Sequence, residues 1–325
     1  MELLEFTKKV EKALTDYYGE DAEIKHHEIY KNNGLLLHGV CVLEKNKNVA
    51  PTIYLNDLCK RYEDGETFSS LINEIVQMTE EYKVTENLNM NFFMDYEKVK
   101  NRLVLRLIHG ERNKELLKNL PHQKYMDLAI VCHCIVESEE IGFGSILIHK
   151  SHMVNWNIDE ETLFHDAFRN SPRIEPYQIM KMSDMVKLIF KNMVEEQVND
   201  FYDDNARKEE LVREMLENMS TNMVNWDIPM FVLTNANRYY GAACIVYPEV
   251  LEKIGQLFQD DYYVLPSSVH EIILLAKREN MDFYSLNEMV REINQTQVAR
   301  EEWLSDHTYL YQRKNRKLIS IENQE

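Results

Sequence analysis

The chain has 325 residues, 44% of them hydrophobic and 28% charged, and carries a formal net charge of −18. That length fits one large domain or two modest ones, and the composition is that of a folded chain rather than a disordered one. The acidic balance repels nucleic-acid phosphates and anionic membranes, so neither is expected as a partner, whereas another protein, a basic one above all, is compatible with it.

The opening stretch MELLEFTKKV has acidic residues where a basic leader would begin, so no signal peptide is read there. The longest apolar run, LAIVCHCIV at 128–136, is too short to span a bilayer. Five cysteines (Cys41, Cys59, Cys132, Cys134 and Cys244) make an odd number with no CxxC, which argues against a disulfide framework or a zinc ribbon and for a reducing cytoplasm.

In chain order, Leu3, Phe6, Val10, Leu14 and Tyr17 make a helical stripe over 2–18, with Gly19 as the stop. Two strand-like runs then flank Asn33-Gly34, a hairpin signal, and PTIYL at 51–55 offers a third strand. A second helix is predicted over 67–82, and the polar stretch 84–91 is the candidate junction. These elements form an N-terminal helix-hairpin-helix module over 1–90, followed by a main domain over 91–325. In that domain 102–108 reads as a strand, 111–121 as a helix stopped by Pro121, and 125–137 as a continuous apolar central strand with 144–150 returning beside it. Asp159 caps a helix through Asn170, ended by Pro172. A strand at 176–182 and a helical section at 183–219 follow, the latter a candidate partner face. Residues 230–235 and 241–248 read as a hairpin, Pro248 opens a helix, and YYVLP is a strand. Ser285 and Glu288 have capping-box spacing before another helix, and the tail past about 313 reads as mobile. MVNWNI at 153–158 returns as MVNWDI at 223–228, in a different context, which favours coincidence over a repeat. The fold class expected from this order is α+β, with antiparallel or mixed sheets packed with helices.

One stretch concentrates reactive side chains: PSSVHE at 266–271. Ser267 or Ser268 as nucleophile, His270 as base or metal ligand and Glu271 as acid or base would suit a hydrolase. A zinc protease needs a second histidine where Leu274 stands, and a serine elbow needs GxSxG, which is absent. The competing reading is a corner: Pro266 ends one strand, Ser268 caps a single turn, and IILLA leaves as a second buried strand. We favour the corner. His149, His152 and His165 are a further candidate metal set, but they match no ligand spacing. His26 and His27 point to opposite faces of a strand and cannot chelate together, and Cys132 and Cys134 share a face that reads as core. With nine glycines and no phosphate-binding loop, no cofactor is expected. Sixteen methionines and eighteen tyrosines read as plastic core packing rather than a binding surface.

The ordered segments LLLHGV, APTIYLND, LPHQKYMDLAIVCHCIVE, ILIHKSHMVNW, MFVLTNANRYYGAACIVYP and YYVLPSSVHEIILL carry a resemblance. Over roughly 1–310 the chain resembles an uncharacterised domain-of-unknown-function family of anaerobic Gram-positive bacteria. Its most specific parts are the PSSVHE corner and the LTN…GAACxxYP stretch. The resemblance implies a cytoplasmic bacterial protein of one extended α+β unit, and it transfers no catalytic residues. Three functions are carried forward: a non-enzymatic intracellular binding or regulatory protein, a hydrolase centred on His270 and Glu271, and an acidic decoy or inhibitor in phage defence or counter-defence.

Overall fold

The first helix, α1 (Leu3–Tyr18), buries Phe6, Val10 and Leu14 along one stripe, and Gly19 ends it at φ 57°. The computed structural model describes residues 2–84, 87, 90–138, 142–189, 191, 230–266, 268–278 and 283–320. Much of the section 183–219 therefore lies outside the described residues, as do Ser267 and the second MVNW copy. The architecture is α+β with antiparallel sheets. The chain divides into two compact units. One consists of Met1–Val104, Gly110–His122 and Val131–Ala167, the other of Leu105–His109, Gln123–Ile130 and Phe168–Glu325.

In the first unit, β1 (Ala22–Tyr30) and β2 (Leu36–Glu44) form the expected hairpin, turning through Asn33 and Gly34, both at positive φ. Strand β3 (Thr52–Tyr54) pairs with β2. Helix α2 (Asn56–Glu63) has no counterpart in the sequence reading. It buries only Leu58 and Cys59, too few positions for a periodic signal, and its Arg61 reaches Glu66 (2.9 Å) and Glu74 (2.7 Å). In α3 (Phe68–Glu81) the Thr67 hydroxyl caps the first turn by accepting from the Ser70 amide. Phe6, Val10, Leu14, Val40, Leu71 and Ile75 meet in one apolar cluster. Burying such side chains contributes roughly 1.5–3 kcal/mol each.

Strands β4 (Leu103–His109), β5 (His122–Tyr125), β6 (Leu128–Ser138) and β7 (Gly142–Leu147) make the next sheet, in the order β4-β6-β5 with β7 also on β6. The 111–121 stretch is shorter in structure than in sequence: a 3-10 turn at Glu111–Asn113 and one helical turn at Lys114–Leu117. The strand expected over 144–150 ends at Leu147, so His149 precedes α4 (Lys150–Trp156), and His152 sits in its first turn, its Nδ1 accepting from the His149 amide at 3.1 Å. Asp159 caps α5 (Glu160–Ile174), accepting from the Thr162 amide at 2.8 Å. The helix runs two residues past Pro172, which falls in the last turn and removes a single helical bond there.

The second unit is built on an antiparallel sheet of β8 (Tyr177–Lys181), β9 (Met230–Asn235), β10 (Tyr262–Leu265), β11 (Ile272–Ala276), β12 (Tyr309–Gln312) and β13 (Lys317–Ser320), ordered β13-β12-β10-β11-β9-β8. Residues 182–189 are helical. The expected hairpin partner at 241–248 is not a strand: Gly241–Val246 is a 3-10 helix. Every residue from Gly241 to Ile245 is buried, so no face is left to alternate with solvent. The tail read as mobile supplies edge strand β13, with Leu318 buried. Helix α6 (Val250–Phe258) begins two residues after Pro248. Helix α7 (Phe283–Gln297) begins before Ser285, which is therefore inside it rather than its cap. Leu286 and Val290 of α7 cover Tyr263, Leu265, Leu275 and Leu310. On the opposite face of β10, Tyr262 stacks on Phe258 of α6 (5.4 Å between ring centres) and Tyr311 (4.9 Å). No helix among the described residues is long and apolar enough to cross a membrane.

Candidate functional site

PSSVHE is the connection between two neighbouring strands of the six-stranded sheet. β10 enters it, β11 leaves it, and the two pair antiparallel from Leu265↔Ile273 onward. Many polar groups of the connection's described residues are engaged. The Ser268 hydroxyl accepts from the His270 amide at 3.0 Å, a serine turn that redirects the chain. The Val269 amide donates to the Glu302 carbonyl (2.8 Å), and the Val269 carbonyl accepts from the Ala242 amide (3.2 Å). The Pro266 carbonyl accepts from the Ser305 amide (2.8 Å), and the His270 carbonyl from the Thr234 hydroxyl (2.8 Å). The sequence expectation of a turn followed by a buried strand holds here.

The His270 imidazole is held at both nitrogens. Nδ1 accepts from the Tyr240 amide at 3.1 Å, and Nε2 lies 3.2 Å from a Glu302 carboxylate oxygen. Because Nδ1 accepts, the neutral ring carries its proton on Nε2, the nitrogen that faces Glu302. Tyr239 and Tyr240 flank the ring at 5.2 and 5.5 Å. Burial pushes the Glu271 carboxyl above its usual range; His270 opposes that shift and Glu302 adds to it.

Behind this corner lies an ion pair that the sequence reading missed. Arg106 of β4 donates through both terminal nitrogens to Glu175, with Nη2 at 2.6 Å, and Nη1 also reaches the Leu105 carbonyl at 3.1 Å. The two side chains are 0% and 1% exposed. The guanidinium lies 5.2 Å from the centre of the Tyr240 ring, so the aromatic that caps the ion pair is also the residue whose amide orients His270. Burial raises the Cys244 thiol and the Tyr240 phenol, each to about 12, and the Tyr247 phenol further still. All three stay protonated at neutral pH. The sequence signal was present: an arginine inside the apolar run LVLRLI has to find a partner when both faces of the strand are covered.

A second knot gathers residues far apart in the chain. Asp127 accepts from the Ser305 hydroxyl (2.7 Å) and from the Tyr309 phenol, while His109 Nε2 lies 3.8 Å away. The carboxylate stands between the serine and the imidazole, so the order differs from that of a nucleophile activated by histidine. Ser305 is fully buried.

The candidate metal histidines do not gather. His149 and His152 are adjacent, their ring centres 5.5 Å apart, but His152 packs edge-on to Phe93 and already accepts a backbone proton. His165 is exposed on α5 beside Asp166. No group of three His, Cys, Asp or Glu residues among the described residues is placed to hold a metal ion. Cys132 and Cys134 are fully buried on one face of β6, and His133 faces the other way, 3.0 Å from the Ser145 hydroxyl.

A family model covering residues 3–313 matches this chain. The chain belongs to a family of unknown function (DUF5688). The PSSVHE connection and the LTN…GAACxxYP stretch touch through Thr234, Tyr240 and His270. No curated protein and no solved structure matches.

Proposed function

We propose that this chain is a non-enzymatic binding or regulatory protein, acting in the cytoplasm of an anaerobic Gram-positive bacterium on another protein. One observation carries the reading: the imidazole of the PSSVHE connection has its Nδ1 lone pair committed to the Tyr240 amide, while Nε2 faces the Glu302 carboxylate at 3.2 Å. A general base needs a free lone pair within reach of the proton it removes. The Ser268 hydroxyl is buried and accepts the bond that closes the turn. The net charge of −18 favours a basic partner, held by contacts that weaken with salt. An acidic decoy has that charge alone behind it.

The hydrolase reading keeps one specific support, the Glu271 carboxyl raised by burial beside the His270–Glu302 pair. It would use Glu271 as the acid and requires Tyr240 to release Nδ1. One experiment separates the two. Wild type and His270→Ala are assayed against ester, peptide and phosphate chromogenic substrates, and their thermal unfolding is compared. The binding reading expects a lower melting temperature for His270→Ala and no turnover that depends on His270. Turnover in the wild type, lost in a variant that melts normally, overturns it.

A further inference from the structure

We propose that the His26–His38 pair on the β1–β2 hairpin is a two-histidine site for a divalent first-row transition metal, zinc in the first instance, which Glu28 joins by a change of rotamer when the metal binds. This proposal is independent of the function argued for the His270 corner. The strand register brings the three residues together. Glu28 stands directly opposite His38, and His26 lies two residues earlier on β1. Directly opposed residues share a face, as do residues two apart on one strand. The same face carries Val40 and Val42 into the apolar cluster, so the histidines stand where that cluster gives way to the turn.

The histidine pair is already at chelating separation. His26 Nε2 lies 3.1 Å from His38 Nδ1, with the rings nearly parallel at 8°. One ring nitrogen donates to the other, so a single proton occupies the line between two lone pairs. Zinc binds imidazole nitrogen at about 2.0–2.1 Å. Two such bonds spanning 3.1 Å enclose an angle of about 98°, between the square and tetrahedral values. Each lone pair swings by about 40° from the N···N line to reach that point. The metal thus replaces the shared proton.

The scaffold supports the site. His38 donates its amide to the Asn56 side chain (2.9 Å) and accepts at its carbonyl from the Leu55 amide (2.8 Å), which fixes the strand that carries it. Glu28 is exposed, and its side chain makes no hydrogen bond or ion pair among the described residues. As placed, two donors converge and the carboxylate stands aside; a rotamer change brings it in as the third ligand. Imidazole and carboxylate together suit zinc. His27, on the other face of β1, is an internal control.

The test is zinc titration of the full-length protein by calorimetry, with thermal unfolding in parallel, for wild type, His26→Gln, Glu28→Gln and His27→Gln. The wild type and His27→Gln are expected to bind zinc stoichiometrically and to melt higher with it, because a ligand bound only by the native state stabilises that state. His26→Gln is expected to lose about tenfold or more in affinity and the zinc-dependent melting shift, and Glu28→Gln to bind more weakly than wild type. Unaltered binding in His26→Gln, an equal loss in His27→Gln, or no zinc binding by the wild type overturns the proposal.

Discussion

Removing the Glu175 carboxylate strands the Arg106 guanidinium inside the second unit. Arg106 is 0% exposed and Glu175 is 1% exposed, so neither charge has water to fall back on. In Glu175→Ala the guanidinium keeps the Leu105 carbonyl and the Tyr240 ring but loses both carboxylate bonds. Breaking a buried pair from one side costs about 3–5 kcal/mol. Replacing both members with apolar residues of similar volume costs far less, because no charge is left behind. Glu175→Ala, Arg106→Met and the double variant Arg106→Met/Glu175→Leu therefore form an informative set. Urea unfolding reads it: with a slope of about 3 kcal/mol/M, Glu175→Ala shifts the midpoint down by about 1–1.7 M, whereas the double variant recovers most of that loss. A loss below about 1 kcal/mol in Glu175→Ala would mean that water reaches the pair, and the reasoning about a sealed polar centre would fail.

Three further predictions test the surroundings. A Cβ on Gly241 would lie 2.2 Å from the Thr234 hydroxyl, 2.4 Å from the Asn235 amide nitrogen and 2.7 Å from the His270 carbonyl. Gly241→Ala is therefore expected to lose roughly 1–3 kcal/mol in the same urea assay, and full stability in that variant would contradict the close approach. Burial pushes up the thiols of Cys59, Cys132, Cys134 and Cys244, whereas Cys41 is only half-buried. A thiol reagent counted by mass spectrometry should modify Cys41 in the native protein and the others only after denaturation; rapid modification of Cys244 would refute this. Burial, with His149 adding to it, pushes the His152 imidazole below its usual range, so the unfolded chain takes up that proton first. The stability from this group is full above the unfolded value of about 6.5 and is lost as pH falls through the lowered folded value. Acidification should thus lower the melting temperature less in His152→Gln than in the wild type, and parallel curves would remove His152 as the cause.

What the sequence made legible follows the physics of each segment. Periodic stripes and continuous apolar runs gave α1, α3, β6 and β10, because a single buried face leaves a repeating pattern. Asn33 and Gly34 marked their turn because few residues adopt positive φ. The pattern failed where burial had no period: Gly241–Val246 is enclosed on every side and reads like a strand, although it winds into a 3-10 helix. It failed again at α2 and at β13, where too few positions are buried to register. Of the candidate site, Ser268, His270 and Glu271 were legible as a corner because their types and spacing are local. Arg106, Glu175, Tyr240 and Glu302 were not, because their partners lie 30 residues or more away along the chain. His38 lies only 12 residues from His26, yet it was hidden because only the register of β2 against β1 brings the two together.

The connections around PSSVHE explain why its reactive side chains are so well tied. β9, the 3-10 segment after it and the chain around Glu302 to Ser305 are joined through this one six-residue connection, by bonds to Thr234, Tyr240, Ala242, Glu302 and Ser305. A backbone group left buried there without a partner would cost about 1–3 kcal/mol. A histidine suits this place because Nδ1 accepts from the Tyr240 amide while Nε2, on the far edge of the ring, faces the Glu302 carboxylate. Asparagine or glutamine offers the same two functions, but not at that separation. The serine suits it because a short hydroxyl closes the turn without a longer side chain in the way. By this argument the residue types that resemble a catalytic set are the ones required to turn a buried strand back on itself beneath three neighbouring segments. The same types can be explained by the backbone they satisfy, with no substrate invoked.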